Sequence, residues 1–316
     1  MTPRFSVVIP TYNRAKLISR ALESVRRQLH PPDEIIVVDD GSDDNTRQIV
    51  EACGAKVCYI YQPNAGASSA RNRGVAEARS EWIAFLDSDD QWSREYLKHM
   101  ARAIEATGGE AWFYFSDARF LSAGTETAYW EEIQFSAASP FQLIPDARQL
   151  VLRELQPMLL PFSVFNREKY REKGGLWEHL KSAEDTHLFM KLGLAGPACA
   201  VACVGGVVMA DSDSGNRLTH LYRPETEEHW RNVILLCEDI LTHCPTLRAS
   251  ERRLMRSRVS NAHWRLARRA WGGRRLLRGL REGARAVRAY PPVIALLAAR
   301  TARRAVPHSG GRETTV

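Results

Sequence analysis

The sequence predicts an α/β protein with a mostly parallel central sheet flanked by helices, followed by a helical basic tail. Short apolar runs rich in β-branched residues alternate with segments of helical periodicity over the first hundred residues. The run at residues 82–86 is apolar at every position, which is typical of a strand with both faces covered. Residues 246–316 contain 18 arginines, no lysine and three glutamates, whereas residues 1–245 carry a net charge of −8.

Each element of the predicted sheet follows from its own pattern. Strands with helices between them favour parallel pairing through right-handed crossovers. The predicted strands are residues 5–9, 34–38, 57–61 and 82–86, and the predicted helices are residues 17–25, 43–52 and 67–79. Farther along, strands are predicted at 112–115, 162–165 and 201–209, a helix at 184–194, and loop with short helix at 122–150.

The fourth predicted strand ends in three carboxylates, Asp87, Asp89 and Asp90, with Ser88 between them. Unit charges about 4 Å apart repel by roughly 4 kcal/mol at an effective dielectric near 20. A divalent cation removes that repulsion, and Mg²⁺ usually takes one or two carboxylates together with substrate phosphates. The segment therefore predicts a metal-diphosphate site. The alternative is a polar turn that caps the next helix, since Asp and Ser favour both positions.

Other polar motifs follow the neighbouring strands. Parallel strands place their carboxyl ends at one edge of the sheet, where open α/β sheets bind ligands. Each motif alone has an ordinary alternative: a strand-ending turn, a helix cap, a solvated helix face, or an acid that complements a helix dipole. The motifs are Pro10-Thr11-Tyr12-Asn13, Asp39-Asp40-Gly41-Ser42, Asn64-Ala65-Gly66, Ala70-Arg71-Asn72 and Glu184-Asp185.

In this order, across residues 5–190, the motifs resemble the family 2 glycosyltransferases with the GT-A fold. The resemblance implies transfer of a sugar from a nucleoside diphosphate sugar, expected to be UDP-linked, to a hydroxyl acceptor with inversion. It implies Mn²⁺ or Mg²⁺ as the cofactor. It also suggests a role in cell-surface polysaccharide or glycolipid synthesis, with a glycan or lipid-linked acceptor that the sequence does not identify.

The resemblance assigns the nucleotide pocket to five residues. Pro10, Thr11 and Tyr12 correspond to the segment that contacts the base. Asp40 corresponds to the acid that accepts a hydrogen bond from a uracil-type base, and a carboxylate suits the imide N–H of uracil. Arg71 corresponds to a basic residue near the nucleotide and diphosphate, and guanidinium suits phosphate.

The resemblance also assigns the metal and the base. Asp89 and Asp90 correspond to the D-x-D element, with Asp89 nearer the ribose and Asp90 on the metal, and Asp87 supports them. His220 is a further candidate metal ligand. Asp185 corresponds to the general base that takes the proton of the acceptor hydroxyl, which is a poor nucleophile until it is deprotonated.

The predicted organisation has four parts. Residues 1–105 form the nucleotide-sugar-binding half of the GT-A-like domain and 106–224 the acceptor-binding half. Residues 225–305 form the helical basic region, and 306–316 a disordered tail. Two alternative functions stay open: a phosphotransferase of the haloacid dehalogenase type, and a non-catalytic nucleotide-sugar-binding protein at the membrane surface.

The basic tail predicts an amphipathic helix at residues 274–288. An apolar stripe and an arginine stripe run side by side with steps of three and four. Three roles are open: attachment to an anionic membrane, packing on the acidic body, and nucleic-acid binding, which we do not expect because no recognised module accompanies the charge. The stripes are Leu277, Leu280, Ala284 and Val287, and Arg278, Arg281, Arg285 and Arg288.

Composition excludes some classes. No apolar run approaches the roughly 20 residues that span a bilayer. The first residues lack a secretory signal, so we expect a cytoplasmic protein, on the inner face of the cell membrane if the tail attaches there. The six cysteines include no C-x-x-C pair and predict buried thiols rather than a zinc site or disulfides.

Overall fold

The computed structural model describes residues 2–54, 56–122, 125–209, 226–273 and 275–292. The chain divides into two compact units, residues 1–221 and 222–316. The strands are β1 (Phe5–Thr11), β2 (Glu34–Asp39), β3 (Val57–Tyr61), β4 (Trp82–Phe85), β5 (Gln91–Trp92), β6 (Phe113–Ser122), β7 (Thr125–Ala128), β8 (Phe141–Ile144), β9 (Ser163–Asn166) and β10 (Ala198–Met209).

The helices lie between these strands and in the second unit. A single 3-10 turn, Leu160–Phe162, precedes β9. The helices of the first unit are α1 (Ile18–Arg26), α2 (Thr46–Ala52), α3 (Ala67–Glu77), α4 (Tyr96–Ala106), α5 (Tyr129–Glu132), α6 (Arg148–Val151), α7 (Arg167–Glu172) and α8 (Glu184–Gly193). Those of the second unit are α9 (Glu227–His243), α10 (Ala249–Gly272) and α11 (Leu276–Ala289).

The first unit is built on one mixed sheet with strand order β3-β2-β1-β4-β9-β6-β10-β5. The predicted α/β class with a flanked central sheet is confirmed. Strands β3, β2, β1 and β4 are parallel, as the strand–helix alternation requires. Parallel pairing does not dominate the second half: β9 is antiparallel to both β4 and β6, and β5, β7 and β8 add antiparallel pairs. β6 and β7 form a hairpin, whereas β5, β8 and β9 pair with strands that are distant in the sequence, so strand–helix alternation does not set their direction.

Close packing of α3 on the sheet sets the position of the site. All seven residues of β1 are buried. A Cβ added to Gly74 of α3 would lie 2.3 Å from Val8 Cγ1 of β1, so only glycine permits this approach. Arg71 lies one turn earlier on the same buried face of α3. The close approach therefore brings a charged side chain down onto the carboxyl edge of the sheet.

The prediction of loop with short helix at 122–150 missed two strands, whereas short helices are present. The region contains the hairpin strand β7 and the short strand β8, with α5 and α6. Every residue of β7 has a polar or small side chain and none is buried, so the segment lacks the alternation that marks a strand. The prediction of buried thiols was wrong for Cys58, which is exposed because β3 lies at the edge of the sheet.

The described residues of the second unit, 226–273 and 275–292, are mainly helical, as the sequence pattern predicts, and the tail predicted at 306–316 lies outside the described residues. Helix α10 packs against both α9 and α11. Across the residues that the structure describes, no helix combines the length and apolarity needed to cross a bilayer.

Candidate active site

The carboxyl ends of β1, β2 and β4 lie side by side, as predicted. Thr11 pairs with Asp39 in the parallel register of β1 and β2. The backbone N–H of Asp40 donates to Thr11 O at 2.8 Å, and that of Leu86 donates to Val8 O at 3.1 Å. The residues that follow these strands therefore share one edge of the sheet, where ligands bind in open α/β folds.

Thr11 and Tyr12 leave β1 at this edge. Pro10 is a buried residue within β1, whereas Tyr12 is 43% exposed. Thr11 is 3% exposed, and its buried Oγ1 has no hydrogen-bond partner among the described residues. Beyond Tyr12, the backbone N–H of Asn13 donates to Ser42 Oγ at 2.8 Å, which joins the turn after β1 to the turn after β2. An exposed ring beside an unsatisfied hydroxyl suits an aromatic, polar ligand such as a base.

Asp40 organises the loop between β3 and α3. Its Oδ1 accepts from Gln62 Nε2 at 2.8 Å and from the backbone N–H of Ala65 at 2.9 Å, and its Oδ2 accepts from the backbone N–H of Gly66 at 2.8 Å. An ionised carboxylate has about four acceptor positions. Three are therefore occupied, which leaves room for a single donor from a ligand. The sequence pattern indicated the ligand role of Asp40 but not this structural one.

Arg71 joins the acids after β4 to the acids of α8. Its Nη2 lies 2.5 Å from Asp87 Oδ1, and its Nη1 lies 3.5 Å from Glu184 Oε1. The side chain is only 6% exposed. Burial opposes the charged form, but the negative charges of Asp87 and Glu184 raise the pKa of Arg71 above its ordinary value. Among the described residues its Nε has no hydrogen-bond partner and its Nη1 has only the ion pair with Glu184, and a bound anion would satisfy such donors.

The acidic pair Glu184-Asp185 begins α8, directly after Ala183, which has a left-handed φ of 62°. Burial, and then the charge of Asp185, raises the pKa of Glu184 to about 7, against the opposing charge of Arg71. Burial also raises the pKa of Asp185, whose Oδ1 accepts from the backbone N–H of Thr186 at 2.6 Å. A carboxylate with a raised pKa is a better proton acceptor near neutral pH.

Tyr129, at the start of α5, feels the charge of Asp185. Burial, and then the negative charge of Asp185, raises the pKa of Tyr129 to about 12. Its hydroxyl donates to Gln156 O at 2.7 Å, which fixes the ring. Neither Tyr129 nor Glu184 was predicted as a site residue. The adjacency of Glu184 to Asp185 could have indicated Glu184, and an aromatic side chain in the segment expected to bind the acceptor could have indicated Tyr129.

Asp89 and Asp90 form the turn after β4. Asp90 is 4% exposed, and its Oδ1 accepts from the backbone N–H of Met209 at 3.2 Å. Asp89 is partly exposed. His220 lies outside the described residues, and within the described ranges no three Asp, Glu, His or Cys side chains converge as a complete metal-binding group. Two adjacent carboxylates nevertheless fit Mg²⁺ or Mn²⁺, because such ions usually complete their shell with substrate phosphates and water.

Comparison with known proteins places these residues in a family. Residues 6–173 match the sequence model of Glycosyl transferase family 2. An uncharacterized glycosyltransferase of Nostoc sp. is 40% identical over 108 residues, 33% of this chain and 34% of its own. The poly(ribitol-phosphate) beta-N-acetylglucosaminyltransferase TarS of Staphylococcus aureus is 28% identical over 246 residues, 75% of this chain and 40% of its own. The chain thus spans less than half the length of either relative.

Solved structures show the same fold. TarS 1–349 in complex with UDP-GlcNAc superposes with a TM-score of 0.66 at 22% identity, covering 93% of this chain and 83% of its own. The mannosyltransferase PcManGT of Pyrobaculum calidifontis in complex with GDP-Man and Mn²⁺ gives a TM-score of 0.58 at 19% identity. The superposition covers 97% of this chain and 82% of PcManGT. The GT-A-like fold is therefore confirmed, and the haloacid dehalogenase alternative is ruled out. Because the matched segment covers more than half of the sequence, the chain belongs to Glycosyl transferase family 2.

Proposed function

We propose that the protein transfers a sugar from a UDP-sugar to a hydroxyl acceptor, with metal dependence and with inversion at the anomeric carbon. The observation that carries the proposal is the position of Arg71. One buried guanidinium contacts Asp87, at the end of β4, and Glu184, beside the candidate base Asp185. The acids suited to a diphosphate and the acid suited to the acceptor therefore belong to one site.

In this proposal the donor lies along the edge formed by β1, β2 and β4. Tyr12 stacks on the base, and Thr11 Oγ1 gains the partner that it lacks. Asp40 accepts the imide N–H of uracil at its remaining acceptor position, with Pro10 in the buried strand beneath. Arg71 donates to the diphosphate through nitrogens that have no hydrogen-bond partner in the described structure.

Asp90, with Asp89, would hold Mn²⁺ or Mg²⁺. A bound divalent cation supplies Lewis-acid stabilisation of the charge that develops on the departing diphosphate. The complex of PcManGT with Mn²⁺ supports this choice of cofactor. Asp87 accepts a hydrogen bond from Arg71 and so keeps the guanidinium at the turn after β4 that contains Asp89 and Asp90.

Asp185 acts as the general base. It takes the proton of the acceptor hydroxyl, and the resulting nucleophile displaces the nucleoside diphosphate in one step, which inverts the anomeric configuration. Its raised pKa favours proton uptake near neutral pH. We assign residues 1–105 to the donor and 106–224 to the acceptor, with Tyr129 as a candidate wall of the acceptor pocket. The name of TarS, a poly(ribitol-phosphate) beta-N-acetylglucosaminyltransferase, supports a role in glycosylating a polymer, and we propose that this polymer is a cell-surface polysaccharide or a glycolipid.

The test measures donor binding and turnover separately. Thermal shift with UDP, with and without Mn²⁺, reports binding, and UDP release over a panel of hydroxyl acceptors reports transfer. Asp90→Asn should lose the Mn²⁺-dependent shift. Asp185→Asn should keep that shift and lose turnover by about 10²–10⁴-fold. Glu168→Gln, an exposed carboxylate on α7, is the control and should change neither.

Three outcomes would contradict the proposal at different points. An unchanged Mn²⁺-dependent shift in Asp90→Asn removes the metal assignment. Normal UDP release by Asp185→Asn removes the base. A larger shift with GDP than with UDP would replace uracil as the base while leaving the site in place.

A further inference from the structure

Helix α11 packs on α10 through a small and polar face. Its buried residues are Gly279, Glu282 and Ala286. Glu282 Oε2 lies 2.7 Å from His263 Nδ1, and Ser260 Oγ donates to Ala286 O at 2.8 Å. The apolar stripe predicted from the sequence is therefore not the face that the second unit buries.

The rotation of α11 about its axis is fixed by close contacts. A Cβ added to Gly279 would lie 2.1 Å from Trp271 Nε1 at the end of α10, so no larger residue fits that face. Arg278 forms an ion pair with Glu227 of α9. The residues on the opposite side of α11 consequently point away from α10.

That outward side contains leucines. Leu276, Leu277 and Leu280 are 66%, 84% and 63% exposed, and Ala284 is exposed beside them. Successive residues of a helix are about 100° apart, so these four side chains fall within about 100° of the circumference. Single exposed leucines are ordinary, but a contiguous apolar patch marks an interaction surface.

Arginines occupy the adjacent sector of the same outward side. Arg281, Arg285 and Arg288 are exposed and fall within about 60° of one another by the same helical geometry. The one acid of the helix, Glu282, is buried and pairs with Arg285 at 3.1 Å, whereas Arg281 and Arg288 are exposed on the outward side. Long arginine side chains can reach phosphates while their stems lie along an apolar surface.

We infer that the outward side of α11 docks on an anionic membrane surface. A helix with one apolar sector and one arginine-rich sector lies in the bilayer interface with its leucines among the acyl chains and its arginines at the lipid phosphates. The combination of positive charge and apolar surface on α11 favours an anionic membrane over the other possible partners. A second copy of the chain would bring arginines against arginines, and a nucleic acid would leave the leucines in water.

The test is co-sedimentation of the full chain with vesicles. One set contains phosphatidylcholine alone, and the other contains equal parts of phosphatidylcholine and phosphatidylglycerol. The wild-type chain should bind the second set only. Arg281→Gln with Arg288→Gln should weaken binding roughly 30-fold, which corresponds to about 1 kcal/mol per basic residue. Leu277→Ser with Leu280→Ser should weaken it on the order of 100-fold.

The matched controls make the same kinds of substitution, leucine to serine and arginine to glutamine, at exposed positions outside α11. Leu155→Ser replaces a leucine that is 60% exposed, and Arg20→Gln with Arg79→Gln removes two exposed positive charges from the first unit. Neither should alter vesicle binding. The substituted α11 side chains are exposed, so far-ultraviolet circular dichroism should show unchanged helix content in every variant.

Three results would overturn the inference. The first is no binding of the wild-type chain to the anionic vesicles, or equal binding by the α11 variants. The second is tighter binding to duplex DNA that survives the leucine substitutions, which would indicate a nucleic-acid surface. The third is a dimer in analytical ultracentrifugation that the leucine substitutions dissociate, which would indicate contact between copies.

Discussion

Replacing Glu184 with glutamine should stabilise the protein increasingly as the pH rises. The pKa of Glu184 is raised from its ordinary value of 4.5 to about 7, first by burial and then by the charge of Asp185. Between those two values the folded state binds more protons than the unfolded state. The free energy of unfolding therefore falls as the pH rises through this window. The stability that protonated Glu184 provides is fully present only below the lower of the two pKa values.

The magnitude follows from the shift. One pKa unit corresponds to 1.36 kcal/mol, so ionising Glu184 in the folded protein costs roughly 3 kcal/mol in total. Glutamine does not titrate and has nearly the same shape. Relative to the wild-type chain, Glu184→Gln should therefore gain roughly 2 to 3 kcal/mol of unfolding free energy between about pH 5 and about pH 8.

The assay is urea unfolding followed by tryptophan fluorescence across that pH range. Glu77→Gln is the control, because Glu77 is an exposed acid paired with Arg73 on the surface of α3. Its unfolding free energy should differ from that of the wild-type chain by a constant amount. Parallel curves for Glu184→Gln and the wild-type chain would refute the burial and coupling of this carboxyl group.

Three further substitutions probe the support of the site. Arg71→Met should destabilise the fold by about 3 kcal/mol or more in urea unfolding, because Asp87 loses its buried partner; an unchanged midpoint would contradict the contact. Gly74→Ala should cost about 1 to 3 kcal/mol through the clash with Val8, and Val8→Ala in the same chain should recover part of it. Asp40→Asn should weaken UDP binding in calorimetry and expose the loop after β3 to protease, because its amide nitrogen cannot accept the backbone N–H groups; unaltered cleavage would exclude that anchoring role.

The sequence predicted the first half of the sheet well because β1, β2 and β4 are buried on both faces. β1 and β2 are nearly continuous apolar runs, and such runs have few alternatives. The acids that follow them were predicted to share an edge, and the parallel pairing places them there. The later strands were harder, because β7 has no apolar alternation and owes its pairing to β6.

Long-range contacts account for what the sequence left open. The link from Arg71 to Glu184 joins residues more than a hundred positions apart, and no local pattern encodes it. The apolar stripe of α11 was predicted as a stripe, but the sequence left open whether a membrane or the acidic body covers it. Gly279 leaves room for the ring of Trp271, so the face of α11 that contains Gly279, and not the leucine stripe, packs on α10. Periodicity defines the faces of a helix, and the neighbouring side chains decide which face is covered.

A crystal structure of the protein grown with UDP and Mn²⁺ would show whether the donor, the metal and the base share one site. The account predicts uracil against Asp40 and the diphosphate beside Asp89 and Asp90, on the side from which Asp185 faces the acceptor. Ordered UDP bound away from these carboxylates, with Asp185 remote from it, would contradict the account.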